Sequence, residues 1–161
     1  MSTLLRGAPV RERLTLDLSR RSAALRHRGV IPTLAILRVG SSPGDLAYEK
    51  SAAARCARCG IEVRHLTWEN AGALPEAIRA VNADPSIHGC LLLRPLADRA
   101  AEAAAGQLLL PDKDVDGMTP GSLAGLLTGQ SGFAPCTAQA CLELLDLSLI
   151  HISEPTRPLY I

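Results

Sequence analysis

The hydrophobic period of this chain switches repeatedly between that of a strand and that of a helix, and this alternation limits the folds open to it. PTLAILRVG (Pro32–Gly40) is an apolar run of strand length, and residues Leu46–Cys59 take helical spacing and stop at Gly60. IEVRHLTW (Ile61–Trp68) alternates like a strand. ALPEAIRAVNAD (Ala73–Asp84) is helical, with Pro75 tolerated in the first turn. HGCLLLRPL (His88–Leu96) reads as a buried strand closed by Pro95. Strand, helix, strand, helix, strand requires right-handed crossovers, which give a parallel sheet covered on both faces. The expected fold is therefore α/β and three-layered, with a small parallel sheet flanked by helices. Sites in such sheets lie beyond the carboxyl ends of the strands, here after Val39, Trp68 and Leu93.

The flanks fit the same architecture. Val10–Arg28 reads as an amphipathic helix stopped by Gly29, and SSPGD (Ser41–Asp45) is turn chemistry. An Ala-rich helix is expected over Asp98–Gln107, then a loop over Leu108–Ser122 and a short helix near Leu123–Leu127. Thr137 is expected to cap a last helix running to about Asp146. No internal repeat is present.

Composition narrows the function classes. The chain has 161 residues, 47% hydrophobic and 20% charged, which suits one globular domain. A net charge of +1 and 2% aromatic residues argue against nucleic acid as a partner. No apolar run approaches the ~20 residues of a membrane helix, and the N-terminus lacks a secretory pattern, so cytoplasm is the expected compartment, with no membrane partner. Lys50 and Lys113 are the only lysines, so chemistry needing a tunable amine has two candidates.

Five cysteines do not suggest a disulfide framework. Cys56 and Cys59 form a C-x-x-C, which a redox or zinc role would use. However, the pair lies late in a helix rather than at its N-terminus, where a thiol pKa would be lowered. No second pair completes four zinc ligands, and Cys136 and Cys141 are five apart. Packed thiols and no metal are the expectation; a thiol redox protein is the rival reading.

The segment LSLIHISEPTRPLYI (Leu147–Ile161) breaks the pattern. It holds three of the eight isoleucines and begins in the middle of a helical stretch. Leu147–Arg157 matches, residue for residue, the in-frame translation of a transposon-end sequencing adapter. Residues 147–161 are therefore expected to be an artefactual tail on a domain of residues 1–146, with the natural protein continuing past Asp146.

The richest motif is PDKDVDGMTPGSLAGLLTGQSGFAPCTAQACLELL (Pro111–Leu145). Pro111, Lys113-Asp114-Val115-Asp116-Gly117, Pro120, Gly125, Leu127, Gly129, Phe133 and Pro135-Cys136-Thr137 occur in an order that resembles the signature of bifunctional methylenetetrahydrofolate dehydrogenase/methenyltetrahydrofolate cyclohydrolases. RGAPV (Arg6–Val10), Pro32–Ile61 and GCLLLRPL (Gly89–Leu96) are similar to the same family's opening, first strand with tyrosine helix, and G-hydrophobic-Q-x-P-L strand. The likeness spans Leu4 to Asp146.

The resemblance implies oxidation of 5,10-methylenetetrahydrofolate with NAD(P)⁺ and hydrolysis of the methenyl product to 10-formyltetrahydrofolate, in the one-carbon metabolism that feeds purine biosynthesis. It implies Tyr48 and Asp116 as catalytic residues. Tyr48, Asp114, Asp116, Pro135 and Thr137 are implied as substrate-binding residues, with Tyr48 packing on the folate. A carboxylate such as Asp116 can accept both donors of the pterin edge in a bidentate, charge-assisted pair. Asp114 is also suited to shaping the loop. The plainer alternatives are that both aspartates only turn the loop and that Tyr48 is a surface aromatic with a wet tip. Tetrahydrofolate derivatives are the implied partners, and the full-length enzyme is implied to be a homodimer.

Two departures qualify the activity. The family's lysine, four residues after the tyrosine, is Ala52 here, and the family's glutamine is Leu93. Lys50 points about 200° away from Tyr48 on a helix, and Arg55 shares its face but is a poor general acid or base. Cyclohydrolase activity is expected to be weak or to rest on a different arrangement, and the fragment alone is expected to be inactive. The alternative function is a non-catalytic folate-binding module lacking the family lysine. The resemblance also implies an NADP-binding Rossmann-type domain, NAD being the alternative cofactor. VGSSPG (Val39–Gly44) fits neither phosphate-loop pattern, so that domain is expected to be absent from the 161 residues and no cofactor-binding residue is expected in them.

Overall fold

A computed structural model describes residues 6–130 and 132–149 of the chain. The strands β1 (Thr33–Val39), β2 (Glu62–Trp68) and β3 (Gly89–Leu92) form one parallel sheet in the order β2-β1-β3. β1 is central: Thr33 aligns with Glu62 and Val39 with Trp68 on one side, and Leu34 with Gly89 and Leu37 with Leu92 on the other. Helix α1 (Gly7–His27) precedes the sheet, α2 (Pro43–Arg58) joins β1 to β2, and α3 (Leu74–Ala83) joins β2 to β3. After β3 come α4 (Arg99–Leu108), α5 (Pro120–Thr128) and α6 (Cys136–Leu149). The fold is the expected three-layer α/β arrangement. No helix among the described residues is long and apolar enough to cross a membrane.

Side chains alternate across a strand, so each face of the sheet takes every second residue. Ala35 and Leu37 of β1 and Cys90 and Leu92 of β3 face α3 and α4. The apolar stripe Leu74, Ile78 and Val81 of α3 closes over them with Ala105 and Leu109, all almost fully buried. Burying each leucine, isoleucine or valine side chain of this set stabilises the fold by about 1.5–3 kcal/mol relative to exposure. The opposite face carries Ile36, fully buried, and Arg38, and is covered by α2. α1 is pinned to the α2–β2 turn by Ser22 and Arg26, whose side chains donate to the Gly60 carbonyl at 2.9 Å. Gly60 itself has φ +71, and a Cβ there would lie 3.0 Å from Ser22 Oγ.

Several boundaries differ from the sequence expectation. α2 begins at Pro43, inside the segment read as a turn, because Ser42 Oγ accepts from Asp45 N and Pro43 is preset for a first helical position. α5 begins at Pro120 rather than Leu123, since Thr119 caps it through Ser122 N. α6 begins at Cys136, so Thr137 lies inside the first turn instead of capping it. β3 is shorter than His88–Leu96: after Leu93 N donates to Leu37 O, the chain leaves β1, and Pro95 has no N–H to continue a ladder. α6 runs on past Asp146 to Leu149, and residues 150–161 of the expected tail lie outside the described residues.

Candidate functional site

The loop after α4 is organised by a buried carboxylate. Asp114 is 0% exposed. Its Oδ1 accepts from Met118 N at 3.1 Å, and its Oδ2 accepts from Thr119 N at 2.8 Å and Ser122 Oγ at 2.7 Å. Burial alone would raise this carboxyl's pKa, but the donated hydrogen bonds outweigh it and hold the pKa below the usual carboxylate value. Asp114 also forms an isolated bridge to Cys90, which fixes the loop beside β3. Lys113 anchors the other side of the loop, its Nζ donating to Asp84 O at 2.7 Å and to Val81 O at the C-terminal end of α3.

Gly117 brings this loop against the segment before α6. Its φ is +63, and a Cβ there would lie 2.6 Å from Phe133 O and 2.7 Å from Pro135 N. Only a residue without a Cβ permits that approach. The result is that Asp116 and Thr137 share one cleft.

The cleft has a volume of about 410 Å³ and opens at the carboxyl ends of β1 and β3. Gly44, Asp45 and Tyr48 contribute from α2, Leu91–Arg94 from β3 and its exit, and Asp116 and Thr137 from the far side. Tyr48 is 58% exposed, so its ring is free to pack on a ligand.

Three of the expected substrate-binding residues, Tyr48, Asp116 and Thr137, thus meet in this cleft. Asp114 and Pro135 do not line it. Asp114 spends its carboxylate on the loop, and Pro135 packs beside Gly117. Leu93, at the family's glutamine position, lines the cleft with an apolar side chain. Ala52 is half-buried one turn beyond Tyr48 and does not line it. Neither lysine reaches the cleft: Lys50 is exposed on α2, and Lys113 is bonded to α3. Arg55 lines a different groove, formed with α1 and α6, so it does not stand in for the missing amine.

Arg94 is a cleft residue that sequence reasoning missed. Continued strand alternation would turn position 94 toward α3 and α4, but β3 ends at Leu92 and the guanidinium swings to Asp116 instead. Its position directly after Leu93 was the available signal.

Residues 5–116 match the family model described as tetrahydrofolate dehydrogenase/cyclohydrolase, catalytic domain. The chain belongs to this family. The bifunctional protein FolD of Alkaliphilus oremlandii is 41% identical over 152 residues, covering 90% of this chain and 52% of that protein. The crystal structure of the bifunctional FolD methylenetetrahydrofolate dehydrogenase/cyclohydrolase from Campylobacter jejuni is similar at TM-score 0.84 and 34% identity, covering 92% of this chain and 54% of that one. The Trypanosoma brucei methylenetetrahydrofolate dehydrogenase-cyclohydrolase, complexed with NADP and an inhibitor, shares the fold at TM-score 0.83 and 24% identity, covering 95% of this chain and 54% of that one. The chain spans about half the length of these relatives.

The strand-to-helix turns among the described residues carry capping side chains of the chain's own. A pyrophosphate needs free N–H groups at a strand-to-helix turn. The turn after β1 is capped by Ser42, with the carboxylate of Asp45 in the first helical turn. The turn after β2 is capped by Asn70, and the turn after β3 by Asp98, which accepts from Ala100 N and Ala101 N. Each entry is occupied by the chain's own side chains, two of them acidic.

Cys59 and Cys90 are buried, Cys56 is half-buried, and Cys136 and Cys141 are exposed. Cys59 is buried at the C-terminal end of α2, and burial together with the charge of Cys59 pushes the Cys56 thiol up, opposite to what a reactive pair needs. Among the described residues no group of three or more His, Cys, Asp or Glu converges as a metal site would require.

Proposed function

We propose that residues 1–146 form the folate-binding half of a methylenetetrahydrofolate dehydrogenase/cyclohydrolase of cytoplasmic one-carbon metabolism. The observation that carries this reading is the meeting of Tyr48, Asp116 and Thr137 in one cleft beyond β1 and β3. Asp116 accepts the two donors of the pterin edge, and the Tyr48 ring packs on the flat folate. NADP, or NAD, would supply the hydride acceptor and would be held outside this half; its site, a homodimer interface and the artefactual nature of residues 147–161 all belong to this proposal.

Oxidation at the methylene carbon asks this half for position more than for proton transfer: the reacting carbon must be held in an attack geometry. Hydrolysis asks for more, because water must lose protons as it adds to the methenyl carbon. The side chains that line the cleft offer no amine, and Ala52 and Leu93 supply neither proton nor hydrogen bond. The balance therefore favours the dehydrogenase step, with weak cyclohydrolase activity. The loss of the amine also favours a second reading, a folate-binding module without catalysis.

Calorimetric titration of the chain with 5-formyltetrahydrofolate tests the folate reading. Saturable binding that Asp116→Asn weakens by about tenfold, the size of one charged hydrogen bond, is expected. No binding by the unaltered chain sinks it. Hydride transfer by a complete enzyme carrying this half separates the catalytic reading from the module.

A further inference from the structure

Asp114 and Asp116 are two residues apart, yet their carboxylates have opposite surroundings. Asp114 is saturated by three donors of its own loop. Asp116 has a single hydrogen-bond and ion-pair partner among the described residues: Arg94, whose Nη2 lies 3.1 Å from Asp116 Oδ2. Without Arg94 nothing in the described structure fixes the direction of that carboxylate.

Arg94 is itself held from behind. Glu102, in the first turn of α4, accepts from Leu96 N at 2.7 Å through Oε2. Its Oε1 lies 3.9 Å from Arg94 Nη1 and 3.8 Å from Arg99 Nη1, so Glu102 faces both guanidiniums. Glu102 is thus tied to the chain two residues beyond Arg94, and it draws one arm of the guanidinium while the other arm reaches Asp116. A planar fork can hold two carboxylates at once in a fixed geometry, which a lysine ammonium cannot do as rigidly. Arg94 is also the only lysine or arginine that lines the cleft among the described residues.

We propose that Arg94, braced by Glu102, is the positioning residue that aims the Asp116 carboxylate at the pterin edge and so sets folate affinity in this chain. This rests on the folate reading above. The guanidinium engages one carboxylate oxygen and leaves acceptor capacity for the ligand's donors. It acts as a fixed positive charge and takes no part in proton transfer. The cleft's cation therefore comes from the exit of β3, in a site where α2 carries alanine at position 52.

A double-mutant cycle on the whole chain tests this, read by calorimetry with 5-formyltetrahydrofolate and by the thermal midpoint. Arg94→Leu is expected to weaken binding about tenfold. Arg94→Lys, which keeps the charge and loses the fork, is expected to weaken it about threefold. In an Asp116→Asn background Arg94→Leu is expected to cost less than about twofold, because its effect runs through the carboxylate. Glu102→Gln is expected to weaken binding in the same direction as Arg94→Leu, and serves with Arg94→Lys if the leucine variant does not fold. Unchanged affinity in the Arg94 variants overturns the inference while leaving the folate reading intact. So does a full tenfold loss in the Asp116→Asn background, which would make Arg94 an independent contact. Absence of binding by the unaltered chain removes the folate reading, and the inference with it.

Discussion

Arg38 Nε donates to Glu49 Oε2 at 2.6 Å beneath α2, with the two side chains only 13% and 9% exposed. Glu49 directly follows Tyr48, and its other oxygen meets His65 Nδ1 of β2 at 2.6 Å. Arg38 also bonds the Gly40 carbonyl. One carboxylate thus ties α2 to β1, to β2 and, through Arg38, to the turn that starts the helix. This network fixes the helix face from which Tyr48 enters the cleft. Glu49→Ala leaves a buried guanidinium without its partner and is expected to cost about 3–5 kcal/mol. Chemical denaturation measures it; a loss under about 1 kcal/mol would mean the network contributes little.

Acid sensitivity follows from the same residue. Burial alone would raise the Glu49 pKa, but the hydrogen bonds from His65 and Arg38 and their charges outweigh it, and the pKa is lowered. A carboxyl with a depressed folded pKa stabilises the fold fully above its unfolded value, ~4.3 for Glu. That contribution is lost as pH falls through the folded value. Asp114, also lowered, acts in the same direction from an unfolded value of ~3.9. Thermal midpoints are expected to fall below about pH 4. Glu49→Gln should flatten that fall, and an unchanged slope would show that other groups govern it.

Asp114→Ala removes the acceptor shared by Met118 N, Thr119 N and Ser122 Oγ. The expected loss is roughly 3 kcal/mol or more, since buried donors are left unsatisfied. Folate binding should fall with it, because the same loop carries Asp116. Hydrogen exchange at Met118 and Thr119 reads the loop directly, and protection retained in the variant would count against this role.

Gly117→Ala sets a Cβ 2.6 Å from the Phe133 carbonyl at a φ of +63. Backbone must move, so a destabilisation of about 1–3 kcal/mol is expected, with separation of Asp116 from Thr137 and weaker folate binding. A variant with wild-type affinity would show that the close approach is dispensable.

Thiol reactivity should follow burial rather than the C-x-x-C spacing. Burial and the nearby Asp114 charge push Cys90 up to about 12. Cys136 is also raised, by burial and by the charges of Asp116 and Asp114. Iodoacetamide at pH 8, read by mass spectrometry, is expected to label exposed Cys141 first and Cys59 and Cys90 only on unfolding. Fastest labelling at Cys56 and Cys59 would revive a redox role for that pair.

Ala52→Lys returns an amine one helical turn beyond Tyr48. In a complete enzyme carrying this half, cyclohydrolase turnover is expected to rise by about tenfold or more while hydride transfer changes little. A rate unmoved by the lysine would place the hydrolytic chemistry elsewhere.

The sequence by itself determined the three-layer parallel fold, because switches of hydrophobic period leave few ways to bury apolar faces. It also determined which motif carries the family resemblance and that alanine stands four residues after Tyr48, since those depend on residue identity and spacing. Helix starts at Pro43 and Pro120 were harder to read, because proline and a capping hydroxyl look like turn residues until the helix beyond them packs. Only the tertiary structure separated Asp114 from Asp116. Identical side chains two residues apart differ because one meets three internal donors and the other meets a guanidinium from the chain just past β3. Tertiary contact likewise sent Arg55 to the groove beside α1 and brought Arg94 into the cleft. Periodicity describes a face within one element; which charges meet between elements depends on where each strand stops and how the chain turns there.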